Sequence, residues 1–260
     1  MSKTLGIAFG GSGAQGIASI AYIKALEAME IKPSIVSGTG VGAVVAAMYA
    51  AGMTSQNMID FLQEINFPGA KRPINPLKVK DSRYGILDGL GLEEYYQMIV
   101  PIKVFDRLYF PLKIVAADWT SGRQVVFESG DVGPAVRSAV SIPGVFMPKD
   151  MNGELIMDGS CVNPVPFDVI RDDCDVLAAI DPQINEGEAA QMVFSVMSGA
   201  FNAAKKALTV EKQKACKVDL FDSFVVEEIN MYDFALFNEI IESTEERAGL
   251  FAVNLQDKLK

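Results

Sequence analysis

The sequence predicts an α/β chain whose mostly parallel sheet is covered by helices on both faces. Three observations carry this. Short apolar runs at residues 4–9, 34–37, 111–118 and 175–180 alternate with stretches of helical periodicity, the pattern of parallel strands joined by crossover helices. Half of the residues are hydrophobic and mean hydropathy is +0.21, so a sizeable core can be buried. No repeat, low-complexity tract or linker divides the 260 residues, which suits one domain over 1–260 with a helical part at 188–260.

Residues 4–9 read as a buried first strand, and Gly10 to Gly16 as a loop of near-minimal side chains. Ile17, Ile20, Ala21, Ile23, Leu26 and Glu27 then follow helical spacing. A glycine loop between a strand and a helix start gathers backbone N–H groups at the positive helix end, a nest for a phosphate or a developing oxyanion. Gly11 to Gly16 also matches G-x-G-x-x-G. The acidic residue that a dinucleotide site needs at the end of the second strand is missing, because that strand ends Val36-Ser37-Gly38. A plain tight turn is the other reading of the same glycines.

Residues 34–37 form the second strand and 43–51 a small-residue helix. No charge occurs from Pro33 to Ile59, but Gly38, Gly40, Gly42 and Gly52 interrupt the run, so a buried central helix is expected rather than a membrane span. Helices are expected at 57–65 and 92–99, with surface loops over 67–91. Residues 111–118 and 124–127 make a hairpin around Thr120-Ser121-Gly122-Arg123. A short helix at 132–139 follows. Asn152-Gly153 then turns between two strands, the second leading into Asp158-Gly159-Ser160. Beyond it come a buried strand at 175–180, an amphipathic helix at 188–217, a late strand at 223–227 and helices over 233–260.

The net charge of −10 and the pI near 4.6 argue against nucleic-acid binding and against simple electrostatic adhesion to anionic membranes. Cys161, Cys174 and Cys216 show no C-x-x-C pairing, which suits a reducing compartment. The N-terminus lacks the features of a signal peptide, so a soluble cytoplasmic protein is expected. Histidine is absent, which excludes Ser-His-Asp and Cys-His machinery and histidine metal ligation; no metal site or cofactor is expected.

The stretch Gly38-Thr39-Gly40-Val41-Gly42 sits between the second strand and the small-residue helix. It fits the nucleophile elbow G-x-S-x-G at every place but the centre, where Gly40 stands in place of serine. Glycine tolerates the strained backbone of an elbow apex, so the turn can persist without its reactive oxygen. Neighbouring side chains diverge in so sharp a turn, so Thr39 is expected to point elsewhere. Ser37 belongs to the strand and Ser12 to the glycine loop; none of the three inherits the apex.

Four landmarks in this order resemble the patatin-like phospholipases, a family of lipid acyl hydrolases: Gly10-Gly11-Ser12-Gly13-Ala14-Gln15-Gly16, Gly38-Thr39-Gly40-Val41-Gly42, Ser141-Ile142-Pro143-Gly144-Val145-Phe146-Met147-Pro148 and Asp158-Gly159-Ser160. The resemblance covers residues 1–180. It implies a three-layer α/β/α sandwich with a central sheet of about six strands. It also implies a Ser–Asp dyad with the nucleophile at position 40 and Asp158 as base. The oxyanion loop would be Gly10, Gly11, Ser12 and Gly13, and Gly16, Gly38, Gly42 and Gly159 would be motif glycines. The family uses no histidine and no metal for its dyad. Gln15 stands where Arg or Lys is usual, so a positive charge beside the loop is expected to be lost, and Ser160 replaces Gly or Ala.

The implied function is a lipid or carboxylic-ester acyl hydrolase whose nucleophile is missing, by engineering or naturally. The alternative is a non-catalytic lipid- or protein-binding pseudoenzyme on the same scaffold. The implied partner is a lipid or acyl-ester substrate, not nucleic acid. Met53, Met58, Phe61, Leu62 and Phe67 are candidates for an acyl pocket. Phe194, Met197, Phe201, Phe234 and Phe237 are candidates for transient membrane-surface contact or a homodimer face. Both sets also fit plain core.

Overall fold

The computed structural model describes residues 3–11, 13–66, 85–87, 90–184, 193–229, 231 and 233–260. The first half runs β1 (Leu5–Phe9), α1 (Ser19–Ala28), β2 (Ile35–Gly38), α2 (Gly40–Ala50), α3 (Ser55–Asn66), β3 (Gly85–Leu87), α4 (Leu90–Ile99), β4 (Leu112–Asp118) and β5 (Gln124–Phe127). Then come α5 (Val132–Ala139), β6 (Gly144–Phe146), β7 (Lys149–Met151), β8 (Glu154–Asp158), β9 (Val176–Gln183), α6 (Val193–Ala215), β10 (Leu220–Val225) and α7 (Phe237–Leu259).

The sheet holds eight strands in the order β10-β9-β1-β2-β4-β8-β7, with β5 also pairing β4. This exceeds the expected six, because β7 and β8 and the β5 hairpin strand extend the sheet beyond β4. The five strands from β10 to β4 are parallel, and β5, β7 and β8 are antiparallel additions. β1 lies inside, in register with β2 (Phe9↔Gly38) and with β9 (Phe9↔Ile180). Strand ends therefore meet side by side where the glycine loop and the elbow begin, at the carboxyl edge where α/β sheets bind ligands.

Side chains along β1 alternate between two cores, as the strand period of 2 requires. Leu5, Ile7 and Phe9 enter the larger core with α1, α2, α5 and α7, while Ala8 joins Ile35, Phe167, Leu177 and Ala179 on the other face. Burial on both faces is why these strands read as continuous apolar runs. The uncharged run from Pro33 becomes β2 and α2, and nearly all of α2 is buried. Among the described residues no helix is long and apolar enough to cross a membrane.

The C-terminal elements belong to the same sheet and core. β10 pairs with β9, and α7 packs on α1 through Tyr22, whose ring meets Phe251 edge-on at 5.1 Å and stacks on Phe224 at 5.7 Å. α6 lies towards the second face, where Lys212 pairs with Asp168 at 2.6 Å and Cys216 packs against the smaller core.

Some expectations are corrected. Gly85–Leu87, expected as loop, is a strand parallel to Gly144–Phe146; three residues are too short to show an alternation. The remaining loop residues 67–84 and 88–89 lie outside the described residues, as do 188–192 of the expected helix. The late strand begins three residues earlier than expected, at Leu220, because its pairing with Ala178–Gln183 sets its bounds rather than its mixed polarity. Met53 and Met58 are core residues, and Phe61 and Leu62 pack against that core, so these four read as core rather than acyl pocket; Phe67 lies outside the described residues. Phe237 is core as well, which removes it from the surface candidates. Phe234 is exposed and Phe201 half-buried; the side chains of Phe194 and Met197 lie outside the described set.

Candidate active site

Gly40 opens α2 with φ +52°, the left-handed region that glycine enters without penalty. A Cβ added there would stand 3.6 Å from both Oδ1 and Oδ2 of Asp158 and 3.1 Å from the Gly11 Cα. The missing side chain at position 40 would therefore project between the Asp158 carboxylate and the glycine loop. Thr39 does point elsewhere: its buried hydroxyl donates to the Val115 carbonyl at 3.1 Å. Ser37 is occupied in the same way, donating to the Pro166 carbonyl at 2.7 Å. With Thr39 so engaged, its side chain does not cap the first turn of α2.

The glycine loop packs directly on the elbow. A Cβ on Gly11 would collide with the Thr39 carbonyl and come within 2.8 Å of the Gly40 Cα. The other motif glycines are also close approaches: Gly16 against Val41, Gly38 against Ala43, Gly42 against the Gly10 and Phe9 carbonyls, and Gly159 against Val115 and Thr39. The N–H groups of Gly10 and Gly11 donate to the Ile180 and Pro164 carbonyls at 2.9 and 3.2 Å. This corrects the expectation that these two glycines present oxyanion donors; their N–H groups hold the loop on the sheet. Gly13, at φ +57°, has no hydrogen bond from its N–H among the described residues, and Ser12 lies outside them.

Asp158 ends β8, paired with Ala116 of β4. Its Oδ1 accepts from the Ser160 N–H at 2.8 Å, so it caps the turn Gly159–Cys161 and also faces position 40. Its own N–H donates to the Ser141 carbonyl at 3.1 Å. The Ser141–Pro148 block is held in turn by buried Arg137, which donates to Ser141 Oγ at 2.5 Å and to the Met147 carbonyl at 2.8 Å. Burial pushes the Asp158 carboxyl above the usual carboxylate range; the Lys205 charge and the Ser160 N–H act the other way.

Lys205 and Asp181 carry no signature in any of the four motifs. Lys205, on α6, is buried, and its Nζ donates to the Gly11 carbonyl at 2.7 Å. Burial lowers its pKa, opposed by the charges of Asp158, Asp181 and Cys161. Asp181, near the end of β9, accepts from Gln183 Nε2 at 2.5 Å and Ser223 Oγ at 3.1 Å, and burial pushes it up to about 6. Burial and then the Asp158 charge push the Cys161 thiol up to about 12. Sequence signals existed: Lys205 interrupts the stripe Phe201, Lys205, Leu208 on an amphipathic helix, and Asp181 ends an apolar strand at the ligand-bearing edge. Gln15, by contrast, is a structural staple. Its buried amide donates to the Val226 and Ile229 carbonyls at 3.1 and 2.7 Å and accepts from the Val226 N–H at 3.0 Å. The ammonium that contacts the loop belongs to Lys205 of α6. Among the described residues no cluster of three or more Cys, Asp or Glu forms a metal site.

The family model described as patatin-like phospholipase matches residues 7–171. The chain belongs to this family. The match takes in the glycine loop, the elbow and Asp158 of this patatin-like chain, and it ends before Asp181 and Lys205. An uncharacterized NTE family protein of Mycobacterium tuberculosis is 30% identical over 166 residues, covering 64% of this chain and 45% of that protein. Patatin-like phospholipase domain-containing protein 6 of Mus musculus is 26% identical over 175 residues, covering 65% of this chain and 13% of that protein. The chain thus spans less than half the length of each of these relatives. In fold it is similar to VipD from Legionella pneumophila, with a TM-score of 0.56 at 14% identity, over 99% of this chain and 67% of that one. A patatin fold, with a mixed sheet between helices, follows, and the family is one of lipid-ester hydrolases.

Proposed function

We propose that the chain is the scaffold of a Ser–Asp acyl hydrolase of lipid or carboxylic esters, silent because position 40 lacks the nucleophile. The observation that supports this most directly is the 3.6 Å from an added Cβ at position 40 to each Asp158 carboxylate oxygen. A serine hydroxyl on that Cβ comes within hydrogen-bond reach of the carboxylate. Asp158 then takes the serine proton as the oxygen attacks the ester carbonyl, giving a tetrahedral oxyanion. The leaving alcohol takes that proton; water, deprotonated by Asp158, then attacks the acyl carbon, the acyl–oxygen bond to serine breaks, and the proton passes from Asp158 back to the serine oxygen. The upward push on Asp158 by burial suits a base, since a more basic carboxylate accepts a proton more readily.

The oxyanion donors in this reading are the N–H of Gly13, in the glycine loop, and the N–H of Val41, in the first turn of α2. A donor of this kind is typically worth about 10²–10³ in rate. Serine at φ +52° costs about 1–2 kcal/mol of backbone strain, small enough for the fold to persist.

The test is labelling by a fluorophosphonate, which phosphonylates an activated serine. Gly40→Ser is expected to react at position 40, and the unchanged chain is expected to remain unlabelled there. A folded Gly40→Ser that resists the reagent contradicts this reading and favours the non-catalytic lipid- or protein-binding alternative.

A further inference from the structure

We propose that Lys205 is a positioning residue for this site: from α6 it holds the Gly11 peptide and brings its charge to bear on the Asp158 carboxylate, in the place of a basic residue in the glycine loop. This rests on the Ser–Asp reading of the site and adds to it a residue beyond the family match, which ends at 171.

Three observations converge. First, the Lys205 ammonium donates to the Gly11 carbonyl at 2.7 Å, while the Gly11 N–H donates to the Pro164 carbonyl at 3.2 Å. The Gly11 backbone is thereby tied at both polar atoms. Second, Lys205 is 8% exposed, and the charges of Asp158 and Asp181 act on it. A buried ammonium persists only with such partners. The Phe201 ring, one turn earlier with its centroid 5.7 Å from Nζ, also favours the cation. Third, Gln15 is consumed by its bonds to Val226 and Ile229 and offers the loop no charge.

The charged neighbours define the electrostatics. Asp158 ends β8, Asp181 lies on β9, and Cys161 lies in the turn after Asp158; all three act on Lys205, and Lys206 acts on Asp181. With Cys161 a neutral thiol, one ammonium serves two carboxylates. Its charge favours the carboxylate form of Asp158, against desolvation, which favours the neutral acid.

The test needs no serine. In the unchanged chain, carboxyl-carbon NMR of labelled aspartate, assigned through Asp158→Asn, follows the titration of Asp158. Lys205→Met is expected to raise its midpoint by roughly one to three pH units, the usual effect of a close opposite charge. Lys205→Gln keeps a donor for the Gly11 carbonyl but not the charge, and is expected to raise it as well; Lys205→Arg is expected to restore it. An unmoved Asp158 midpoint in a folded Lys205→Met or Lys205→Gln overturns the proposal. Should neither variant fold, the reciprocal measurement decides. In Asp158→Asn the Lys205 Nζ titration, followed by nitrogen NMR, is expected to fall, and no change there overturns the proposal equally. In the Gly40→Ser background, the acid limb of kcat/KM moves up with Lys205→Met, and kcat falls more than KM changes. An inert Gly40→Ser removes the hydrolase reading, yet the carboxylate titration still decides the role of Lys205.

Discussion

Asp181→Asn gives a sharp test of the charge cluster behind the site. Asp181 is almost wholly buried, and its carboxyl titrates at about 6 in the folded chain against an ordinary 3.8. Burial is the main cause; Ser223, Lys205, Gln183 and Lys206 oppose it. Between these two values the folded chain holds a proton that the unfolded chain has lost. The stability from this group is therefore full below pH 3.8 and is lost as pH rises through about 6. At 1.36 kcal/mol per pH unit, the gap amounts to about 3 kcal/mol. Asparagine mimics the protonated form, and its oxygen accepts the same bonds from Ser223 and Gln183. Urea unfolding from pH 4 to 7.5 is the assay. The variant should gain about 3 kcal/mol on the parent across that range, most of it before pH 6.5. A difference that stays constant with pH would refute the claim that Asp181 is held against its charge.

Other perturbations have signs fixed by the same structure. Gly11→Ala brings its Cβ to 2.8 Å from the Gly40 Cα, well inside the ordinary contact of about 3.5 Å, and both sides are backbone. It should cost about 1–3 kcal/mol in thermal unfolding and, in the Gly40→Ser background, at least about 10² in kcat/KM. Two tyrosines should respond oppositely to loss of their hydroxyls. Tyr22 donates to Asp222 at 2.6 Å, so Tyr22→Phe should cost about 1.5–3 kcal/mol. The buried Tyr96 hydroxyl has no hydrogen-bond partner among the described residues, so Tyr96→Phe should stabilise by about 1 kcal/mol. Equal losses at the two sites in denaturant titrations would show that hydrogen bonding does not set the difference.

The fold was legible where one local rule sufficed. β1, β2, β4 and β9 show as apolar runs because both sheet faces are covered, and the Asn152-Gly153 turn is a two-residue signal. Val132–Ala139 begins and ends where its spacing predicts. Pairing was not legible. The antiparallel extension beyond β4 and the start of β10 at Leu220 depend on partners far along the chain.

The site divides in the same way. The placement of Gly40, Gly11 and Asp158 follows from short motifs at the ends of neighbouring strands. The hydrogen-bond state of each N–H does not: Gly10 and Gly11 look like oxyanion donors until Ile180 and Pro164 accept their protons. Lys205 and Asp181 escape for a related reason. A single charge in an apolar stripe gains meaning only when packing brings it to Gly11, and the sequence separation there is 194 residues.

The central claim is that this scaffold lacks only one oxygen. The most direct measurement is hydrolysis of a p-nitrophenyl acyl ester series by the unchanged chain, by Gly40→Ser and by Gly40→Ser/Asp158→Asn. The account predicts turnover by Gly40→Ser alone, with the series ranking acyl length and the Asp158→Asn change abolishing the gain. A folded Gly40→Ser that hydrolyses none of the esters, or a double variant as active as the single one, would contradict it.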